Sequence, residues 1–497
     1  MALRATGGTS EGPERGEPVT DRAGHVETHG VDHIPDPDRH GRPRSLFTVW
    51  AASNMNYLYI VLGGAMVLLG LDIWQSFAVI VAGNLLWAGV GYLAISGPSS
   101  GTPSWVVTRA MFGVRGNRFL NVTLGWTVAV AYEAIGLALG ALAGFALAEQ
   151  LGIHANTPVK VAIVLVTAVV TFSISVYGHA TIVRCSIWFT WALTACVLVL
   201  AYYVLRHTDW GYRTPAATAV HGHGLWALLA SGFTIMVGGP LSWSSSADYA
   251  RYLPAGTSRK AVCWWTAVGG FVPAVLLSGL GVLAGTAVDM TDAQTSLKTV
   301  VPGWFYPVFL LVVIFGSITN NVLTAYSGGL ALQSGGIPWS RAFTVIFDAS
   351  IALGLTFYSL FVSDFLDTMN SGLELSVAFL GPGFAIYVVD IFLRRNRYDG
   401  VALQDQTRNS RFWYWHGVNP AGAAAMAIGV GAALLCANTS IYTGPVAAAL
   451  GGADLSAAVG MSLGALVYAG LMLRQRRFGQ CAAADVDPDV GHRGVQH

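Results

Sequence analysis

The sequence carries little charge. Only 11% of its 497 residues are Asp, Glu, Lys or Arg, against roughly a quarter in ordinary water-soluble chains. So few ionic groups cannot hydrate a surface of this size, which excludes a water-soluble enzyme as the main body. Cysteine is scarce as well. Cys185, Cys196, Cys263, Cys436 and Cys481 are scattered, with no metal-site or redox-pair spacing, and read as free thiols. The net charge of +1 gives no bulk attraction to nucleic acid. There is no P-loop, HExxH or GxSxG, so nothing supports nucleotide-driven transport or the common hydrolytic chemistries, and no cofactor is expected. The first 44 residues lack the apolar core of a secretory leader. Their polar, Gly- and Pro-rich composition predicts a disordered tail over 1–44, and a second over 478–497.

What the sequence does have is apolar length. Hydrophobic residues make up 54% of the chain, and Gly is abundant at 59, as where helices pack closely in a bilayer. Between 45 and 475, runs long enough to cross roughly 30 Å of hydrocarbon recur. They fall near 46–70, 73–96, 118–148, 159–177, 181–205, 225–250, 261–286, 304–332, 341–361, 373–393, 420–438 and 455–473. The fold class expected is therefore an all-α polytopic membrane protein of twelve helices. Lys and Arg in the connections set the orientation. With both termini in the cytoplasm, only Lys160, Arg206, Arg213 and Lys298 of the 27 basic residues fall on the other side. A multi-pass plasma-membrane protein in contact with lipid is expected.

Two spans carry helix breakers. The first has Asn54 and Asn56 near its start and Gly63-Gly64 at mid-depth; the sixth has Gly238-Gly239-Pro240 followed by serines. Pro removes a backbone donor and Gly weakens a helix. Polar backbone freed at that depth persists only inside protein or around a polar cavity. Two breaks five spans apart, in helices of opposite direction, point to an inverted repeat with the binding site between them. Close helix packing is the alternative reading of each Gly pair.

Three segments carry a family pattern. They are GPSSGTPSWVVTRAMFGVRGNR at 97–118, SADYARYLP at 246–254 and NNVLTAYSGGLALQSGGIP at 320–338. Together they resemble the nucleobase–cation symporter-1 family, the purine, cytosine and allantoin permeases. The resemblance implies two inverted five-helix repeats (LeuT-like), over 46–205 and 225–393, with two extra helices over 420–473. It implies a monomer that takes up a planar heterocycle with a cation. An aromatic residue on the third helix and a Trp on the sixth would sandwich the ring, and amides on helices three and eight would read its edge. Stacking contributes about 1–3 kcal/mol per base, and a wrong edge leaves buried amides unpaired. The matching positions are Tyr132, or Trp126 two turns earlier, and Trp243. Gly136 and Thr324 stand where amides are common in the family; Asn320 and Asn321 lie a turn before Thr324, and Asn54 and Asn56 lie at the first break. A sodium site would draw on the first break near Asn54 and Tyr57 and on eighth-helix hydroxyls. Thr319 keeps one hydroxyl, while Ile318 stands where a second is expected.

Glu133 lies near the middle of the third span, beside Tyr132. A carboxylate at that depth must be protonated, paired or in a wet cavity. It is a candidate for substrate binding, for proton coupling, or for a plain interhelical hydrogen bond. Asp248, near Arg251, reads as an ion pair or cap, and Asp390 as interfacial. The function expected is cation-coupled uptake, with proton or sodium, of a nucleobase or related heterocycle by alternating access. An amino-acid or amine symporter of the same fold is the alternative.

Overall fold

The computed structural model describes residues 22–27, 29–214, 220–362 and 365–484. Its regular elements are helices; among the described residues the only β pairings are two isolated bridges, Trp415 with Val418 and Asn438 with Thr443. Among the described residues nine helices are long and apolar enough to cross a membrane, and ten if one bent pair counts as a single span. The bent pair is α1 (Ser45–Asn54) and α2 (Tyr57–Leu68), which meet at 55°. There follow α3 (Ile73–Ser100), α4 (Val114–Gln150), α5 (Thr157–Tyr177) and α6 (His179–His207). The second half has α7 (His223–Val237), α8 (Ser246–Ala250), α9 (Arg259–Gly285), α10 (Tyr306–Ser334), α11 (Arg341–Phe361) and α12 (Phe365–Arg394). The last two are α13 (Pro420–Cys436) and α14 (Ser456–Ala484). Of the twelve apolar runs, 225–250 and 420–438 contain only shorter apolar helices, α7 and α13.

Local chemistry sets these boundaries. Asp72 and Gln75 form a reciprocal capping box at the start of α3. Asn156 caps α5 by accepting from Val159 N–H. Gly178, at φ 90°, ends α5 and lets α6 begin at once. The first break falls at Met55–Asn56, where the extended Asn56 caps α2 through Leu58 N–H. It does not fall at Gly63-Gly64, which lies inside α2. There a Cβ on Gly63 would run into the Ser278 carbonyl, and one on Gly281 into the Ile60 carbonyl. Those two glycines let α2 and α9 touch backbone to backbone, the packing alternative. The second break is at the expected place: α7 stops at Val237, and a 3-10 turn over Ser242–Ser245 leads into α8. The long third span contains a π-helical stretch, Asn121–Trp126.

The helices pack in two groups. One holds α1, α2, α3, α7 and α9, joined through α9 and α3; the other holds α4, α5, α10 and α11, with α10 lying along α4. Outside them, α13 and α14 pack on each other and on α12.

The N-terminal segment corrects an expectation. Residues 1–21 lie outside the description, but part of the segment expected to be disordered is packed into the protein. Ile34 is fully buried. Arg39 is buried and donates to the carbonyls of Ile34 and Pro98. Glu27 lies 3.1 Å from Arg251 and 3.4 Å from Arg341, with both arginines and the acid almost fully buried. It also accepts from Tyr252, from Tyr326 at 2.9 Å and from the His179 amide at 2.9 Å. A polar composition argues for disorder only where the charges lack buried partners, and here the partners come from four distant parts of the chain. At the other end, α14 continues through residue 484.

Candidate functional site

A cavity of about 220 Å³ lies where the two breaks meet. The first break contributes Ser53, Asn54 and Asn56, and the second Gly238, Gly239, Ser244 and Ser245. The contact between them is direct: a Cβ on Gly239 would strike the Tyr59 hydroxyl. Ala129 and Tyr132 of α4 and Asn320, Leu323, Thr324 and Ser327 of α10 form the facing wall. From there the cavity extends along Leu58, Leu62, Ile235 and Val377 toward Asn438 and Asp454 in the α13–α14 connection. That connection lies at the end of the molecule away from the N-terminal segment.

The polar groups in the wall are held by the protein. Asn54 donates to the Trp50 carbonyl at 2.8 Å and accepts from the Tyr59 hydroxyl at 2.7 Å. Asn320 donates to Ser53, at 3.3 Å to both its carbonyl and its hydroxyl, and so ties α10 to the first break. Thr324 donates to the Asn320 carbonyl at 3.2 Å. The Tyr132 hydroxyl is 2.9 Å from Ser376 Oγ. Thr319, just outside, donates to the Ala52 carbonyl at 2.8 Å and the Gly316 carbonyl at 3.0 Å. Ile318 is buried among apolar neighbours.

Thus Asn54, Asn56, Tyr132, Asn320 and Thr324 are brought together around one space. Trp126, Glu133, Gly136, Trp243 and Asn321 are not among its lining residues, and neither is Tyr57. Trp243 lies behind the wall. It donates to the Leu380 carbonyl at 3.1 Å and packs at 5.7 Å on Trp105 and 6.0 Å on Tyr387. Gly136 makes room for the Asn321 amide, which donates to the Glu133 carbonyl at 2.8 Å. Tyr57 stands edge-on to Phe309. Trp126 stacks on Phe347 and donates to Asp348 Oδ1 at 2.7 Å.

Two features were not singled out from the sequence. Trp105, in the Gly- and Pro-rich loop before α4, lines the cavity. It donates to Ser327 Oγ at 3.2 Å, and Ser327 in turn donates to Asp248. Asp248 also accepts from the Ser104 amide, so it caps the loop that carries Trp105. The position of that Trp inside the family-like loop was the available signal. The second feature is Asp348, a lone acid in the apolar run of α11. Asp390, read as interfacial, is fully buried instead and accepts from Arg394, Tyr398 and Tyr468.

A membrane-spanning bundle with a cavity between two interrupted helices defines a transport protein rather than an enzyme. The comparisons with known proteins name the kind. Residues 33–460 match the family model described as permease for cytosine/purines, uracil, thiamine, allantoin, and the chain belongs to that family. It is 27% identical over 465 residues to YxlA of Bacillus subtilis, which carries a purine-cytosine permease designation; the match covers 90% of this chain and 96% of the relative. It is 23% identical to the purine-cytosine permease fcyB of Emericella nidulans, over 89% of this chain and 88% of the other. Among solved structures it resembles Mhp1, a nucleobase-cation-symport-1 family transporter, in a closed conformation with bromovinylhydantoin bound. The TM-score is 0.72 at 19% identity, covering 89% of this chain and 94% of that one. At that identity the likeness is one of fold.

Proposed function

We propose that this chain is a cation-coupled uptake carrier for a nucleobase or a closely related planar heterocycle. The observation that carries the reading is the composition of the cavity wall. Trp105 and Tyr132 supply aromatic faces, while Asn320, Thr324 and the second-break serines supply donors and acceptors. A flat ring with a hydrogen-bonding edge matches that set: the rings stack on it and the amide and hydroxyls read the edge. Asp454 is the one charged lining side chain among the described residues. Its carboxylate is already taken by the Ser456 amide and hydroxyl and the Asn438 amide. An amino acid or amine would find no free counter-charge, which disfavours the amino-acid alternative. The family relatives named for purines and cytosine support the same cargo class.

In this reading the chain has twelve spans, and α7 with α8 forms one of them. Two inverted five-helix repeats are followed by two extra helices, and both termini lie in the cytoplasm of a plasma-membrane monomer. Transport proceeds by alternating access, with one bundle rocking on the other around the cavity. Tyr132, Asn320, Thr324, Asn54 and Asn56 contact cargo from the wall, joined by Trp105. Trp243 acts from behind as the support of Trp105.

Uptake of a labelled panel (purines, cytosine, uracil, allantoin, hydantoins) by a permease-deficient host, with and without sodium and a protonophore, tests this. At least one heterocycle accumulates if the reading holds. Accumulation of amino acids and of no heterocycle would overturn it.

A further inference from the structure

Glu133 of α4 and Asp348 of α11 are both fully buried, and both carboxyl groups face the same point on α10, the Cβ position of Gly328. Neither lines the cavity. Trp126 donates to Asp348 Oδ1 at 2.7 Å. Among the described residues no N–H or O–H donor reaches either Glu133 oxygen or Asp348 Oδ2. The space is opened by Gly328 of α10, where a Cβ would come within 2.6 Å of Asp348 Oδ2 and 3.3 Å of Glu133 Oε1. The surrounding interface is an apolar cluster of Val130, Leu137, Ala168, Phe172, Ala325 and Ala352.

Among the described residues no base faces the pair. On α11 the nearest cation is Arg341, two turns earlier, which is held by Glu27 and by the Ser175 and Val176 carbonyls. On α10 the nearest titratable group is Tyr326, whose hydroxyl bonds Glu27 and Arg251. On α5 the nearest polar groups are Thr167 and Thr171, each donating to a carbonyl of its own helix. Two carboxylates facing one point inside an apolar interface cannot both be ionised, so the pair holds at least one proton.

We propose that Glu133 and Asp348 together form the proton-binding site of this carrier, outside the cargo cavity and one helix wall from it. The proposal rests on the carrier reading above and deepens it. The wall is thin: Ala129, one turn before Glu133, lines the cavity and lies 3.3 Å from the Cβ position of Gly328, and the adjacent Ser327 lines it too. A pair with one proton carries a single negative charge. A second proton adds to a carboxylate oxygen, neutralises the pair and leaves again as a proton, with no other bond made or broken. Ile318 offers no side-chain oxygen beside Thr319, so this side of α10 has one hydroxyl fewer for sodium, which favours the proton reading.

The test uses the full-length protein, wild type and the near-isosteric E133Q and D348N variants, in proteoliposomes without sodium. The cargo is the heterocycle that wild type takes up best from the panel above. The expected result is accumulation driven by an inward proton gradient in wild type, at least a tenfold loss of it in each variant, and persisting counterflow exchange. Infrared spectra of the purified proteins are expected to lose a protonated-carboxyl band in each variant. Gradient-driven accumulation surviving in E133Q and D348N, accumulation that needs sodium in wild type, or an unaltered carboxyl band would overturn the proposal. Wild type that carries no heterocycle at all would instead overturn the carrier reading beneath it, while the infrared result would still decide the protonation of the pair.

Discussion

At the end of the molecule that carries the N-terminal segment, Glu27 is clamped by Arg251, Arg341, Tyr252 and Tyr326. His179 stacks at 3.8 Å on Tyr252 above it. Toward the opposite end the cavity wall combines Leu58, Leu62, Ala65 and Ile235 with the neutral polar groups of Ser231, Thr234 and Asn438, and its one acid, Asp454, is spent on local backbone and hydroxyl groups. One end is thus closed by a buried ionic lock assembled from remote segments, while at the other the walls meet through apolar side chains and neutral hydrogen bonds, Thr234 donating to the Asp454 carbonyl and the Asp454 amide to Ser231 Oγ. An ionic lock is specific but depends on every member, because a buried charge left alone is costly. Apolar contacts and neutral hydrogen bonds can part and re-form without stranding a charge. In the alternating-access reading proposed above, this makes the Glu27 cluster the part whose breakage has the steepest consequence.

The first way to break the comparison is therefore Glu27→Ala. It strands two buried guanidinium groups and should cost about 3–5 kcal/mol. The expected outcome is a marked drop in melting temperature in detergent, together with reagent access to a cysteine placed at Ser327. An unchanged melting curve would mean that the lock holds nothing. Next come the cavity aromatics. Trp105→Ala and Tyr132→Ala should each weaken cargo affinity by about 1–3 kcal/mol, a roughly 5- to 150-fold rise in the half-saturating concentration. Trp243→Ala should act more weakly, through loss of support for Trp105, and a larger effect than that of Trp105→Ala would reverse their assigned places. The smallest effect belongs to Thr319→Val, which removes one buried hydroxyl donor shared between the Ala52 and Gly316 carbonyls and should cost about 1 kcal/mol of stability. Loss of a sodium requirement in that variant would contradict proton coupling.

Much of this was legible in the sequence, for reasons visible in single residues. The Gly238-Gly239-Pro240 break was readable because Pro and Gly act locally, on their own turn of helix. Tyr132, picked out through the family resemblance, does line the cavity. Gly63-Gly64 was misplaced as a break because a Gly pair looks the same whether it ends a helix or admits a neighbour, and only the Ser278 carbonyl across the interface decides. The Glu27 lock was hidden for a similar reason: its partners at 179, 251, 252, 326 and 341 are remote in sequence. Asp348 could have been noticed as a lone acid in an apolar run. Its meaning depends on Glu133, 215 residues earlier, and only the packing of α11 on α4 joins them.

The most direct measurement is a fluorescence titration of the purified protein with the heterocycle panel, comparing wild type with Trp105→Phe and Tyr132→Ala. The expected result is saturable quenching by at least one heterocycle in wild type, a reduced amplitude in Trp105→Phe and a roughly tenfold weaker affinity in Tyr132→Ala. A heterocycle that binds all three proteins with the same amplitude and affinity would contradict the placement of cargo between the two broken helices.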